Sequence, residues 1–315
     1  MEACGAYWPE AHTDPDKIAK LAWAAYEFAG LEGVRAPFYI YAEAVACGAT
    51  LTKWKKNNQP VLEKPAISTL EDIDKLEIPD PKRDGHMPAI LKAVEILAPK
   101  CEKENLPLIL TVIAPMTLSL NAGLTDTMYS MIWFKKNPAE MEKLMQKCLE
   151  IGVVYAEALV DRGVHTIFYN GALDASISPK DYEGVPLKYN VEGVRRIKEL
   201  GAYVVYHSCM DIKPVFPLLP KLNAHAISLS QEMDMKEARE IAGEDVIIAG
   251  NVSPTFTLIK RGPKEVIAEA KYCIDNGTDI LCPGCGYGPK TPLENMKAMV
   301  EAGKTYGHNA RLARK

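Results

Sequence analysis

The chain has 315 residues, of which 48% are hydrophobic and 25% charged, a balance typical of folded globular proteins and one that excludes intrinsic disorder. Its 37 Lys and Arg residues stand against 41 Asp and Glu, and the net charge of −4 offers no cationic field that would attract nucleic acid. No apolar run reaches the roughly 18 to 20 residues of a membrane helix, and residues 1–10 lack the pattern of a signal peptide. We therefore predict a cytoplasmic protein with neither nucleic-acid nor membrane partners.

Short apolar runs alternate with amphipathic stretches along most of the chain. The runs predict strands at 37–41, 106–114, 165–169, 202–206, 224–229, 245–249 and 279–281. The amphipathic stretches, several of which begin with proline, predict helices at 138–161, 189–200, 234–241, 263–275 and 292–305. Because these strands show no alternation of polar and apolar residues, we expect a parallel sheet with helices on its faces.

An open doubly wound sheet and a closed eight-stranded barrel both agree with this pattern. Polar and glycine-rich segments follow several strands, always on the carboxyl side, at 114–116, 170–171, 207–209, 250–254 and 283–286. An active site spread over so many strand ends favours a TIM-type (β/α)8 barrel, formed as one domain over residues 1–315. Only seven strands are predicted, and residues 1–13 read as a loop that follows a strand, so the barrel is expected to lack its first strand.

The strongest candidate site begins with His207-Ser208-Cys209, at the end of the predicted strand 202–206. Residues two apart in a strand point to the same side, so the imidazole of His207 and the sulfur of Cys209 can converge. Cys285 follows the last predicted strand, in a Pro-Gly-Cys-Gly turn whose glycines allow a close backbone approach. Two thiolates and an imidazole suit catalytic zinc, which keeps a fourth position open. The alternative is a hydrogen-bonded core histidine with two buried cysteines that fill space.

Two nearby residues leave alternatives open. Cys282 and Cys285 form a Cys-x-x-Cys pair, which suggests a redox centre or half of a zinc knuckle, but we favour Cys282 as an inert strand residue because the sequence holds no second such pair. Glu232, after the strand at 224–229, is the nearest acidic candidate for an exchangeable fourth metal ligand. A solvated surface glutamate is an equally good interpretation. Asp234 is expected to cap the helix that follows it.

The segments at 5–12, 207–209, 250–254 and 283–286, with Pro289-Lys290-Thr291-Pro292 after the last, resemble the uroporphyrinogen decarboxylase superfamily. Within it, the chain is similar to the methylcobamide:coenzyme M methyltransferases of methanogens. The resemblance implies a barrel in which His207, Cys209 and Cys285 hold a zinc ion and are the catalytic residues. It also implies a first strand upstream of the Tyr-Trp-Pro segment, and this sequence begins without it.

The resemblance implies a zinc-dependent methyltransferase of methanogenesis from methylated compounds. The methyl group would pass from a methylcobamide on a corrinoid protein to the thiol of coenzyme M, which zinc keeps as a reactive thiolate. Tyr7, Trp8 and Tyr287 are expected around the mouth, where the corrinoid partner would dock, with packing in the core or at the rim as the alternative. Asn251 and Ser253 are the expected donors to the sulfonate of coenzyme M.

The sequence also agrees with two other functions. The first is a metal-free decarboxylase of a tetrapyrrole or a small acid, which agrees with the fold but leaves the three metal-type ligands without a role. The second is a noncatalytic relative that binds zinc or a corrinoid protein, and the missing first strand is its best support.

Overall fold

The computed structural model describes residues 1–52, 55–56, 58–120, 122–172 and 174–307. The strands in these residues are β1 (Val34–Ala36), β2 (Thr50–Leu51), β3 (Leu62–Lys64), β4 (Leu108–Ile113), β5 (Thr166–Asn170), β6 (Tyr203–Ser208), β7 (Ala226–Leu229), β8 (Ile248–Val252) and β9 (Ile280–Pro283). β2 and β3 form a small antiparallel pair that the sequence pattern did not predict.

The other seven strands form one parallel sheet in the order β1-β4-β5-β6-β7-β8-β9. The order follows the chain, as it does in a barrel and unlike the reversal in a doubly wound sheet. Over the part of the chain that the structure describes, β1 and β9 are the two edges and no strand joins them. The curled sheet therefore confirms the prediction of a TIM-type barrel without its first strand.

Helices cover the outside of this sheet. They are α1 (Pro15–Ala29), α2 (Ala42–Ala46), α3 (Asp72–Lys75), α4 (Met87–Lys103), α5 (Pro115–Leu120), α6 (Thr127–Lys136), α7 (Pro138–Val160), α8 (Pro179–Gly184), α9 (Pro186–Glu199), α10 (Met235–Ala242), α11 (Thr257–Lys260), α12 (Pro263–Asp275) and α13 (Leu293–Tyr306). The predicted helices are confirmed with small shifts at their ends, and the side chain of Asp234 caps α10 by accepting a bond from the backbone N–H of Glu237. No helix in the described ranges is long and apolar enough to cross a membrane.

The first predicted strand, at 37–41, is wrong in position. The strand lies immediately before this segment, as β1, and residues 37–41 form an irregular turn that leads into α2. Pro37 explains the difference, because proline has no N–H to donate to a strand ladder and ends the pairing of β1 with β4 at Ala36.

The register of the sheet brings the carboxyl ends of its central strands level with one another. His207 of β6 lies beside Asn170 of β5 on one side and beside Ser228 of β7 on the other. Below this level, strand side chains such as Leu110, Ile167 and Val204 are completely buried. The packed interior of the sheet therefore supports polar side chains at its carboxyl end, where active sites of this architecture lie.

Candidate metal centre

Three potential metal ligands converge at the carboxyl ends of the strands. One ring nitrogen of His207 and the sulfur atoms of Cys209 and Cys285 all lie within 4.8 Å of one another. His207 is the penultimate residue of β6, and Cys209 is the first residue after this strand. The Nε2 of His207 lies 2.9 Å from the Sγ of Cys209. The structure thus brings together the three residues that the sequence predicted as metal ligands.

A tight turn after β9 presents Cys285 to the other two ligands. A Cβ atom at Gly284 would lie 2.5 Å from the backbone nitrogen of Gln231, a separation that real Cβ atoms do not show. Glycine is therefore required at 284, where the turn packs against the loop after β7. Gly286 differs, because a Cβ atom there would meet nothing within 4 Å. The predicted close backbone approach is confirmed at Gly284 but not at Gly286.

The imidazole of His207 is buried and held from two directions. Its Nδ1 lies 3.1 Å from the Oγ of Ser228, and its ring centroid lies 5.0 Å from that of Phe168. Metal-binding histidines commonly use their second ring nitrogen in a hydrogen bond, which fixes the tautomer and the ring orientation. The hydrogen bond with Ser228, whose hydroxyl can donate or accept, holds the ring in orientation and leaves Nε2 directed at the thiols.

The two thiols share their ionisation. Hydrogen bonds from Cys209 and His207 lower the pKa of Cys285 to about 3, so this sulfur holds a negative charge. The bond to Cys285, followed by burial, raises the pKa of Cys209, so this sulfur keeps its proton. The pair therefore carries one negative charge, since two adjacent thiolates would repel each other without a cation.

The neighbouring Cys282 and Glu232 lie outside the group of three ligands. Cys282 is part of β9, and burial raises the pKa of its thiol to about 12, which agrees with an inert strand residue. The carboxylate of Glu232 accepts hydrogen bonds from the hydroxyl of Ser230 and from Nε2 of Gln231. Its negative charge contributes to the raised pKa of Cys209, so it is near the thiols.

Asn251 and Ser253, the expected sulfonate donors, make hydrogen bonds inside the protein. The amide nitrogen of Asn251 donates to the carbonyls of Ser230 and Met233, at 2.9 and 2.6 Å. The hydroxyl of Ser253 accepts a bond from the backbone N–H of Phe256. Both amide hydrogens of Asn251 are therefore used to hold the loop after β7.

The three aromatic residues expected at the mouth have different environments. Trp8 is only 6% exposed and lies 4.8 Å from the ring of His12, so it packs in the core, as the alternative proposed. Tyr7 is half-buried beneath the ammonium group of Lys56. The hydroxyl of Tyr287 lies 3.7 Å from the sulfur of Met299, and burial raises its pKa.

Sequence reasoning missed the cationic side chain of Arg35 at this site. Its guanidinium carbon lies 3.6 Å from the ring centroid of Phe168, and its Nη2 donates to Thr111 across 3.3 Å. Burial lowers the pKa of Arg35, and the thiols of Cys285, Cys282 and Cys209 oppose this shift. An arginine within a short apolar segment, just before Ala-Pro, was the only pattern that could have indicated it.

A buried polar network behind the segment 207–209 was also missed. The carboxylate of Asp174 accepts hydrogen bonds from the hydroxyls of Tyr206 and Ser208, at 2.9 and 3.0 Å. Burial raises the pKa of Asp174 to about 7. A Cβ atom at Gly171 would collide with the Tyr206 hydroxyl, so glycine is required beside this network. The network holds Ser208, which lies between the candidate ligands His207 and Cys209.

Comparisons with known proteins agree with this arrangement. The model of the uroporphyrinogen decarboxylase (URO-D) family matches residues 1–306. The chain is 36% identical to the methylcobamide:CoM methyltransferase MtbA of Methanosarcina mazei, over 97% of this chain and 89% of that protein. It is 31% identical to the methylcobamide:CoM methyltransferase MtaA of Methanosarcina barkeri, with the same coverage.

A solved structure shows the same fold. A methyltransferase from Methanosarcina mazei superposes with a TM-score of 0.89 at 29% identity, covering 98% of this chain and 90% of that one. These relatives confirm the predicted family and a methyltransferase activity. The chain belongs to the uroporphyrinogen decarboxylase family, and within that family it is a methyltransferase.

Proposed function

We propose that this chain transfers a methyl group from a methylated corrinoid protein to the thiol of coenzyme M, with a zinc ion held by His207, Cys209 and Cys285. The observation that supports the proposal most strongly is the convergence of these three ligand atoms within 4.8 Å. The methyl donor and the methyl acceptor are taken from the names of the two relatives, MtbA and MtaA, which are both methylcobamide:CoM methyltransferases.

The donor set fits zinc, which is commonly bound by thiolates and imidazole. The pair Cys209 and Cys285 retains one proton, and a divalent cation would replace it and allow both sulfur atoms to ionise. When bound, zinc lowers the pKa of an acceptor thiol and keeps its sulfur nucleophilic at neutral pH. The bond between His207 and Ser228 holds the imidazole in the orientation that this role needs.

The reaction itself is a simple displacement. The acceptor thiol releases its proton to solvent and its sulfur attacks the methyl carbon, so that a carbon–sulfur bond forms while the cobalt–carbon bond breaks. The bonding electron pair stays with cobalt, which is reduced from Co(III) to Co(I), and no other oxidant or reductant is needed. The residues of this chain hold the acceptor at the carboxyl ends of the strands, where a large corrinoid partner has access from solvent.

The proposal predicts that Cys285→Ala loses both zinc and methyl transfer. Two remaining ligands bind zinc too weakly to retain it, so metal content measured by atomic emission should fall from about one zinc per chain to almost none. Transfer from methylcobalamin to coenzyme M should fall at least about 100-fold, as expected when a site loses a metal that activates the nucleophile.

Cys282→Ala is the matched control, because it removes a thiol three positions away that is not one of the converging ligands. It should retain both zinc and transfer. Methyl transfer by Cys285→Ala at the wild-type rate would contradict the zinc-thiolate mechanism. Turnover of a carboxylic acid in the presence of a strong chelator would favour a metal-free decarboxylase instead.

A further inference from the structure

Arg35 places a positive charge close to the candidate metal centre without a carboxylate to neutralise it. Across the described ranges, no carboxylate oxygen lies within 4 Å of its guanidinium, and Thr111 is its only hydrogen-bond partner. A guanidinium has five N–H donors in a fixed plane, and only one of its nitrogens is engaged here. A half-buried cation with free donors is costly for a protein to maintain unless something binds to it.

The contacts of Arg35 fix where these donors are. Its guanidinium stacks on Phe168, whose ring centroid also lies 5.0 Å from that of His207. Phe168 therefore connects the cation on β1 to the metal-ligand histidine on β6. The bond to Thr111 of β4 fixes the rotation of the guanidinium plane. Arg35 is thus a preorganised cation, held by packing on two neighbouring strands.

We propose that Arg35 binds the anionic end of the thiol acceptor and thereby selects a thiol that carries a sulfonate over a neutral one. This inference rests on the proposed function, since it assigns the second end of the same acceptor. A guanidinium can donate two parallel bonds to the oxygens of a sulfonate, as it does to carboxylates and phosphates. A two-carbon acceptor such as coenzyme M would have its sulfur beside Cys209 and Cys285 and its anionic group at Arg35.

The charges of the site support this assignment. Two thiolate ligands neutralise a divalent cation, so an acceptor that arrives with a thiolate and a sulfonate adds two uncompensated negative charges. Arg35 offsets one of them in a partly buried setting, where such interactions are stronger than in water. Asn251 and Ser253, the sulfonate donors expected from the sequence, carry no such charge. The amide hydrogens of Asn251 are already bound to backbone carbonyls.

The test is calorimetric binding of thiols to the zinc-loaded protein. Arg35→Met should weaken the affinity for coenzyme M by about 10- to 100-fold, the effect expected for lost charge-assisted hydrogen bonds. The affinity for 2-mercaptoethanol, a neutral thiol of similar length, should not change, and neither should the zinc content. Arg195→Met, which removes an exposed arginine on α9, is the matched control and should bind both thiols like the wild type.

Arg35→Lys provides a second variant if the methionine protein does not fold, as judged by its thermal unfolding. It keeps the charge but not the planar donors, so coenzyme M should bind several-fold more weakly while 2-mercaptoethanol is unaffected. Equal weakening of both thiols, or no change for either, would overturn the role of Arg35.

The two proposals can fail separately. If Arg35→Met transfers methyl groups to coenzyme M and binds coenzyme M with the wild-type affinity, the role of Arg35 is contradicted and the proposed function still holds. If the wild type transfers methyl to no thiol, the proposed function fails. Binding of ethanesulfonate, an anion without a thiol, then decides the case for Arg35, because that binding must still be lost in Arg35→Met.

Discussion

At the scale of single residues, the site depends on how the protein distributes protons among buried groups. Cys285 is ionised because Cys209 and His207 donate hydrogen bonds to it, whereas Cys209 keeps its proton. Behind them, the carboxyl group of Asp174 is buried with Tyr206 and Ser208, and its pKa rises to about 7. The segment 207–209, which bears two of the three candidate metal ligands, therefore lies against a carboxyl group that changes its charge near neutral pH.

Asp174 should make the stability of the protein depend on pH. Its pKa is 3.8 without perturbation and about 7 in the folded protein, so the folded state binds the proton more tightly. This contribution to the free energy of unfolding is complete below about pH 4. It falls by about 1.4 kcal/mol for each pH unit between about 4 and 7, and it is absent once the pH has risen through 7. Asp174→Asn, which stays neutral, should lack this loss.

The measurement is chemical denaturation of the wild type and Asp174→Asn between pH 4 and 8. Glu43, whose pKa also rises to about 7, is present in both proteins, so its effect cancels in the comparison. A difference in unfolding free energy between the two proteins that stays constant over this range would show that Asp174 does not titrate as described.

Sequence patterns singled out the three residues that converge in the structure because these candidate ligands are recognisable locally. His207 and Cys209 stand two apart at a strand end, and Cys285 lies in a glycine turn after another strand. Arg35 and Asp174 were not predictable in this way. Their roles come from partners on other strands, such as Phe168 for Arg35 and Tyr206 for Asp174, and these contacts form only in the folded chain.

At the scale of elements, the turn after β9 must approach the loop after β7 closely. Gly284 allows this approach, because any larger residue would collide with the backbone of Gln231. Gly286, two residues later in the same turn, has open space around it. The pair permits a comparison of two substitutions that are chemically identical and differ only in their surroundings.

Gly284→Ala should displace the turn and move Cys285 away from the other ligands. We expect zinc affinity to fall by about 10- to 100-fold, the effect of disturbing the groups that orient metal ligands, measured by competition with a chromogenic chelator. Gly286→Ala should bind zinc as tightly as the wild type. Equal affinity in all three proteins would mean that the position of the turn does not control the site.

Apolar runs in the sequence predicted the strands of the large sheet, but they misplaced the first one. The run at 37–41 is as apolar as a strand, but Pro37 ends the ladder and moves β1 to Val34–Ala36. The pair β2 and β3 has too few residues, and too little burial, to show an alternating pattern.

At the scale of the whole molecule, the carboxyl ends of the strands bring together residues that are distant in the sequence. Arg35 comes from the first strand, His207 from the middle and Cys285 from the turn after the last strand. Parallel order explains this gathering, since every strand ends on the same side. The fold thus predicts where a site lies, whereas its chemistry follows from the individual side chains.

The most direct test of the central claim follows the visible spectrum of methylcobalamin after addition of the purified protein and coenzyme M. If zinc at this site activates the acceptor thiol, the methyl–cobalt absorption bands should be lost, a zinc chelator should inhibit this loss, and added zinc should restore it. Loss of the bands at an undiminished rate in the presence of the chelator, or no loss at all with protein shown to contain zinc, would contradict this role of zinc.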